Sequence, residues 1–314
     1  MVHPSCGELA DLFPNNYYFR VLQPKYQRIF DDCNYLDEIR TQIGSPDLYY
    51  AYGIPIYERI GRVNWFHLSN VLPLYSGQIP LSQFEKLNFR YLGWRIRSNY
   101  RHADVISAES RFSLNLINVT EPDRLCLSVN GSDDELQRLS PSSNDIENVA
   151  TVVGTYKYKA LDDSFRVFEM LRASNRELKL VMIGDVRTIP TALRAQECVL
   201  TTGVLKRGEV IKQLMKSKYY ISTTLIENSY NAASEGVVFA EESYISDIGP
   251  HRELLAKVPF AEVSVPNMSR RILQVRRENT GTLQLKSWGE VVADMLSRVA
   301  RQTTAAESKF DSRR

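Results

Sequence analysis

The four cysteines, Cys6, Cys33, Cys126 and Cys198, form no CxxC pair and no metal-ligand spacing. Neither a disulfide scaffold nor a zinc site is expected, and the usage fits a reducing compartment. No run of about eighteen apolar residues offers a membrane span. The opening residues, MVHPSCGELADLF, lack the basic and apolar regions of a secretory signal. A cytoplasmic protein is expected, one that meets a membrane only from the side. An excess of either charge is also missing. Thirty-nine Lys and Arg stand against thirty-seven Asp and Glu, a net charge of +2, which disfavours nucleic acid as a bulk partner and leaves any electrostatic function local. No GxGxxG follows a strand-like run, so a dehydrogenase is disfavoured. Internal repeats and extended low-complexity segments are absent.

At roughly 100–200 residues per domain, 314 residues suggest two domains. From residue 149 onward, β-rich runs and helical stretches take strict turns: VATVVG, DSFRVFEMLRAS, LKLVMIG, TALRAQE, CVLTTG, GEVIKQLMKS, YYISTT and NAASEGVVFAEE. Such alternation argues for a doubly wound parallel sheet with helices on both faces. Val210, Ile211, Leu214 and Met215 fall on one helical face, while Leu180 to Ile183 form a continuous apolar run suited to a buried parallel strand. The first part holds similar units: NYYFRVL, a helix near Tyr26 to Gln42, strands at DLYYAYG and RVNWFHL, a long helix near Leu81 to Tyr100, and the strand DVISAE. A polar stretch from Asn130 to Asp145 reads as the interdomain linker. The expected organisation is therefore a first α/β domain at 1–140, a second at 146–265, and a segment at 266–314 whose helix SWGEVVADMLSRVARQ packs back on the first domain before a mobile tail.

The stretch ENSYNAASEG, Glu227 to Gly236, sits between the strand YYISTT and the next helix. In a parallel sheet this is where ligands bind, beyond the carboxyl ends of the strands. The amino end of a helix suits a phosphate, and the small side chains at Ser229, Asn231, Ala232 and Ala233 would let one approach, with Tyr230 among the site residues. Glu227 and Glu235 on either side can accept hydrogen bonds from sugar hydroxyls. On spacing alone, the plainer reading is two solvated acids with Asn231 capping the helix.

The segment continues as EGVVFAEESYISDIGPHREL, and in register it resembles the donor-binding signature of the retaining GT-B glycosyltransferases of the group 1 (family 4-like) type, in which two glutamates are separated by seven residues. Upstream, VVGTYKYKAL is similar to that family's first donor-domain strand and phosphate loop, with Gly154 at the turn and Lys159 at the lysine facing the donor diphosphate. The similarity covers about Pro46 to Leu255 and departs from the pattern in three places. Thr155 stands where many members have an arginine, which shifts phosphate charge onto Lys157 or Lys159. Ala240 and Glu242 replace a glycine and a proline. The first domain also looks shortened at its start, without a clear first strand and its glycine-rich loop.

The resemblance implies an α/β GT-B fold, two Rossmann-like domains facing a cleft, with the first on the acceptor side and the second binding the nucleotide sugar. It implies a hexose-type transfer from a nucleoside diphosphate sugar to a hydroxyl of a glycan or lipid-linked glycan, as in surface polysaccharide (O-antigen or capsule type) synthesis, with no cofactor and no metal. Lys159 would neutralise the diphosphate, Glu227 would face the transferred sugar, and Glu235 would bind the ribose. Asn231 would contact the diphosphate or the sugar. Gly203, Val204 and Leu205 would clasp the base. His67, at the end of NWFHLSN, would contact sugar or catalyse, though a lone histidine reads as readily as structural. The alternatives are an epimerase-like enzyme on the same scaffold and a non-catalytic GT-B partner protein. The helix LSQFEKLNFRYLGWRIRSNYRHAD carries Lys86, Arg90, Arg95, Arg97 and Arg101 among Phe89, Tyr91 and Trp94, with no acid between the first and last of these cations. It could rest on the inner, anionic membrane surface or be a solvated face over a core stripe.

Overall fold

The computed structural model describes residues 41, 44, 46–53, 55–131, 145–281, 283 and 285–311, with side chains described to residue 301. The strand NYYFRVL, nearly all of the helix near Tyr26 to Gln42 and most of the linker lie outside them. In chain order the first domain runs β1 (Leu48–Tyr52), β2 (Val63–Leu68), α1 (Gln83–Asn99), β3 (Val105–Ala108), α2 (Arg111–Ile117) and β4 (Leu125–Leu127). The second runs β5 (Glu147–Val153), α3 (Leu161–Arg172), β6 (Lys179–Ile183), α4 (Thr191–Arg194), β7 (Val199–Gly203), α5 (Arg207–Lys216), β8 (Ser217–Ser222), α6 (Asn231–Phe239), β9 (Glu242–Ser246) and α7 (Gly249–Leu254). Then come β10 (Ala261–Val263), β11 (Ile272–Arg276) and α8 (Trp288–Asp311).

Strands β1 to β4 form a parallel sheet in sequence order, with Ala51 opposite Phe66 and Phe66 opposite Ile106. All six residues of β2 are buried, which a parallel sheet covered on both faces requires. Phe66, Leu68, Ile106 and Ala108 pack under α1 and α2 with Ile96, Leu114 and Ile117. On the other face, Val63, Trp65 and Val105 pack against Met295 and Val299 of α8. That helix runs on to Asp311, across the stretch read as a tail.

The second sheet has the order β10-β11-β9-β8-β5-β6-β7. Strands β5 to β9 are parallel, and β11 and β10 add antiparallel strands at one edge. The expected domain boundary at 265 falls inside this sheet. ILQVR has buried apolar residues at 272, 273 and 275 and pairs with β9, covering an edge that would otherwise expose unpaired backbone groups. Leu180, Met182, Val152 and Phe168 make the core on one face, and Ile211, Leu214, Tyr220 and Val237 that on the other.

Helix α1 starts with a capping box: the Glu85 N–H donates to Ser82 Oγ at 3.2 Å, and the Ser82 N–H returns to Glu85 Oε2 at 2.7 Å. The domains meet at the carboxyl ends of their strands. Glu253 of α7 accepts the N–H groups of Arg111 (2.8 Å) and Phe112 (2.6 Å), the first two residues of α2, so a carboxylate from one domain satisfies helix-end donors of the other. Asn228 donates to the Leu68 carbonyl at 3.0 Å, and Ser113 Oγ donates to the Asn228 carbonyl at 3.0 Å. Ile226 is buried in the first domain's core.

Gly236 lets α6 lie directly on β8, since a β-carbon there would sit 2.0 Å from the Tyr220 ring. Tyr220 is fully buried and has nowhere to move. Gly236→Ala is expected to cost about 1–3 kcal/mol, read as a lower urea midpoint with an unchanged denaturant slope.

Candidate functional site

Two loops converge beyond the second sheet, one after β5 (154–160) and one after β8 (223–230). Gly154 turns the first with φ +85°, and a β-carbon there would stand 3.2 Å from Lys159 Cε, so the absent side chain leaves room for the lysine stem. The loops are bound together through the carbonyls of residues 158–160. The Leu225 N–H donates to the Tyr158 carbonyl at 2.7 Å, and Thr223 Oγ1 donates to those of Lys159 (3.2 Å) and Ala160 (2.9 Å). Ala160 is left-handed, φ 48°, a conformation that costs about 1–2 kcal/mol outside glycine and is held by these bonds.

This lacing delivers Lys159 Nζ to Glu227 Oε1, where the two form an ion pair. Lys159 is 9% exposed at its side chain and Glu227 20%, so the pair is mostly withdrawn from water. Burial, with the Glu227 charge added to it, pushes the adjacent Tyr158 phenol up to about 12.

Helix α6 starts at Asn231. Tyr230, not Asn231, holds the cap position, and it makes no side-chain cap bond; the Tyr230 phenol is pushed up to about 12, chiefly by burial. Ser229, Asn231 and Ala232 are half-buried beside Glu227. One turn inside the helix, Glu235 forms a 2.6 Å ion pair with Arg207, the first residue of α5. Arg207 is absent from the expected site. Its only sequence signal is its position two residues after the loop VL, at the start of a helix.

Gly203 turns with φ +76° at the end of β7, Val204 is 80% exposed, and Leu205 packs against the cluster of Val149, Val181 and Ile183. Leu205 thus anchors the loop while Val204 presents its tip. Thr155 is buried and tied to its surroundings, its Oγ1 donating to the Asp185 carbonyl at 3.2 Å and accepting from Thr188 Oγ1 at 2.6 Å. Lys157 stands apart from Lys159. It is exposed and reaches across to Glu85 of α1 at 3.1 Å, because the short helical turn at Lys157–Lys159 points the two lysines in different directions.

His67 is buried at the carboxyl end of the first sheet, and its partners belong to that sheet and the residue following β3. Nδ1 lies 2.8 Å from Ser107 Oγ, Nε2 lies 3.6 Å from Glu109 Oε1, and the ring stacks on Tyr52 with centroids 5.1 Å apart. Nε2 has no hydrogen-bond partner among the described residues. Burial and the Glu109 charge raise the Tyr52 phenol. The structure thus joins Gly154, Lys159 and Glu227 directly, sets Glu235 with Arg207, and places His67 in a separate cluster.

No family model matches the chain, and no curated protein matches it. Solved structures do. Anabaena Alr3699/HepE in complex with UDP-glucose superposes with a TM-score of 0.52 at 14% identity, covering 90% of this chain and 77% of that one. The apo structure of OtsA gives 0.52 at 13% identity, covering 90% and 75%. The chain has the GT-B fold. In that GT-B frame the two sheets face each other across the contacts of Asn228 and Glu253, and the Lys159–Glu227 pair lies on the second domain's side.

Below this part of the GT-B cleft lies His251, unexpected from sequence. It is fully buried in α7, with Nδ1 2.7 Å from the Ser246 carbonyl, and Nε2 has no partner among the described residues. Ser246 Oγ in turn donates to the Thr224 carbonyl at 2.8 Å. Burial lowers the imidazole to about 4, the Ser246 carbonyl opposes the shift, the Lys159 charge adds to it, and Asp247 opposes it. The folded value lies below the unfolded one, so the unfolded chain binds the extra proton between pH 6.5 and 4. Stability is therefore present above about 6.5 and lost as the pH falls through about 4. This loss is expected to reach about 3 kcal/mol and to shrink in His251→Asn, measured by urea unfolding across that range.

Proposed function

We propose that this GT-B protein is a retaining, metal-independent glycosyltransferase that moves a hexose-type sugar from a nucleoside diphosphate sugar to a hydroxyl of a glycan or lipid-linked glycan. Surface polysaccharide synthesis of the O-antigen or capsule type, in the cytoplasm and at the inner face of the membrane, is the proposed setting. The observation that carries this reading is the pairing of Lys159 with Glu227 beside the uncapped amino end of α6, with Glu235 one turn further on. The UDP-glucose bound to HepE, named for that protein, supports a sugar nucleotide as the donor class.

The acids are held by internal cations, Glu227 by Lys159 and Glu235 by Arg207. In the proposed complex the diphosphate takes over Lys159 and the N–H groups of Asn231 and Ala232, leaving Glu227 to accept hydroxyls of the sugar. Ribose hydroxyls meet Glu235 beside Arg207. Cleavage of the bond between the anomeric carbon and the diphosphate leaves negative charge next to Lys159 and the helix end, the place where fixed positive charge accelerates departure. The new bond forms to the acceptor oxygen, and the acceptor's proton leaves with the diphosphate. The base rests against Val204 and Leu205, after the turn at Gly203.

Thermal unfolding in the presence of UDP-, GDP-, dTDP- and ADP-sugars should show one of them stabilising the protein by about 2.7 kcal/mol at 100 times its dissociation constant. With that donor and a hydroxyl acceptor, Lys159→Met should lower the transfer rate by about 100-fold or more. Glu235→Ala should instead weaken donor binding about 10- to 100-fold, through loss of charged hydrogen bonds to the ribose. Stabilisation by none of the four, or full activity in both variants, would overturn the assignment. Conversion of the donor without an acceptor would show an epimerase-type reaction.

A further inference from the structure

We propose that the outer face of α1 is a docking surface for an anionic phospholipid bilayer. This builds on the proposed work at a membrane and names the surface and the lipid chemistry. Phe84, Leu87, Tyr91 and Trp94 recur at spacings of three and four, so they form one stripe along the helix. Their exposures are 80%, 64%, 37% and 62%. The stripe therefore faces water, while the opposite face is anchored by buried Ile96 and by Gly93, where a β-carbon would lie 2.2 Å from the Pro73 carbonyl oxygen.

An ordinary surface helix turns its polar residues outward, and a contiguous exposed apolar stripe marks an interaction site. Phe89, interleaved with the cations of the helix, lies off this stripe and is partly buried. Arg95 lies over the Tyr57 ring at 4.1 Å and close to Tyr91 at 5.5 Å. Along one edge of the stripe run Lys86, Arg90 and Arg97, with Arg101 just past the helix end, all exposed. No acid lies between them, and Glu85, at the start, is paired with Lys157.

Apolar and aromatic side chains bordered by cations match the two layers of an anionic membrane surface, with the rings entering the acyl boundary and the cations lying among the headgroups. The charge selects an anionic surface over a neutral one. No helix among the described residues is long and apolar enough to cross a membrane, so the contact is from the side. The helix begins at the Glu85–Lys157 contact, next to the loop that carries Lys159. A lipid-linked acceptor held at this surface would lie beside the cleft.

The test is sedimentation of the full chain, without donor, with vesicles of phosphatidylcholine mixed with phosphatidylglycerol and with vesicles of phosphatidylcholine alone. Binding is expected to the mixed vesicles only, and to weaken with added salt. Lys86→Gln with Arg90→Gln should weaken it about 25-fold, at about fivefold per cation. Leu87→Ser with Trp94→Ser should weaken it more than about tenfold. All four positions are exposed, so the unfolding midpoint should stay near that of the unsubstituted protein and show that the variants are folded. Equal binding to both vesicle types, no binding to either, or unchanged binding in both variants would overturn the proposal. So would a dimer in solution that Leu87→Ser with Trp94→Ser dissolves while vesicle binding is absent, since a second copy would then cover the stripe. The readout needs no transfer reaction, so a failed donor screen leaves it standing and its own failure leaves the donor site standing.

Discussion

The ion pair of Lys159 and Glu227 is the constraint around which the cleft side of the second domain is arranged. Each group is mostly withdrawn from water, and either alone would carry a desolvation cost of several kcal/mol. The pair is tolerable only because two loops from different strands bring the charges together. Every bond lacing residues 158–160 to residues 223–225 serves that placement, as does the glycine at 154 that leaves space for the lysine stem. An anionic ligand arriving here would meet a cation already in place, so little reorganisation would be needed when charge develops.

The contacts between domains follow from the same geometry. Parallel strands end on one side of each sheet, and the loops leaving those ends carry the residues that reach across. Glu253 satisfies the first N–H groups of α2, and Asn228 spans from the ENSYNAASEG stretch to the end of β2. The residue after Glu227 is thus a tie between domains, so the motif that lines the cleft also helps to set its width.

Much of this was legible in the chain. The continuous apolar run at Leu180 to Ile183 and the spacing of Ile211 and Leu214 announced a buried strand and an amphipathic helix, because burial in a covered sheet or on a helix face imposes those periods. The pairing of Lys159 with Glu227, 68 residues away, was expected only as a shared site. The partner of Glu235 was not legible, since nothing local to Arg207 marks where an ion pair will form. Proximity in sequence sets Lys157 with Lys159, yet in the fold it turns to Glu85. The antiparallel strands β10 and β11 are not legible in the sequence, because strands of three and five residues carry little periodic signal. On α1, apolar residues and cations alternate along one mixed helix, and the sequence leaves open which apolar residues face inward.

By itself, then, the sequence determined the alternation of strands and helices, the approximate ends of the elements, and the position of an acid-bracketed turn at the carboxyl end of a parallel sheet. These are local consequences of side-chain period, backbone freedom and helix-end chemistry. Only the tertiary structure decided which charges meet, that His251 lies buried with its imidazole depressed to about 4, and that Phe84, Leu87, Tyr91 and Trp94 face water while Gly93 and Ile96 face the core. Those outcomes depend on what lies across a gap from each side chain, and distance in space carries no fixed relation to distance along the chain.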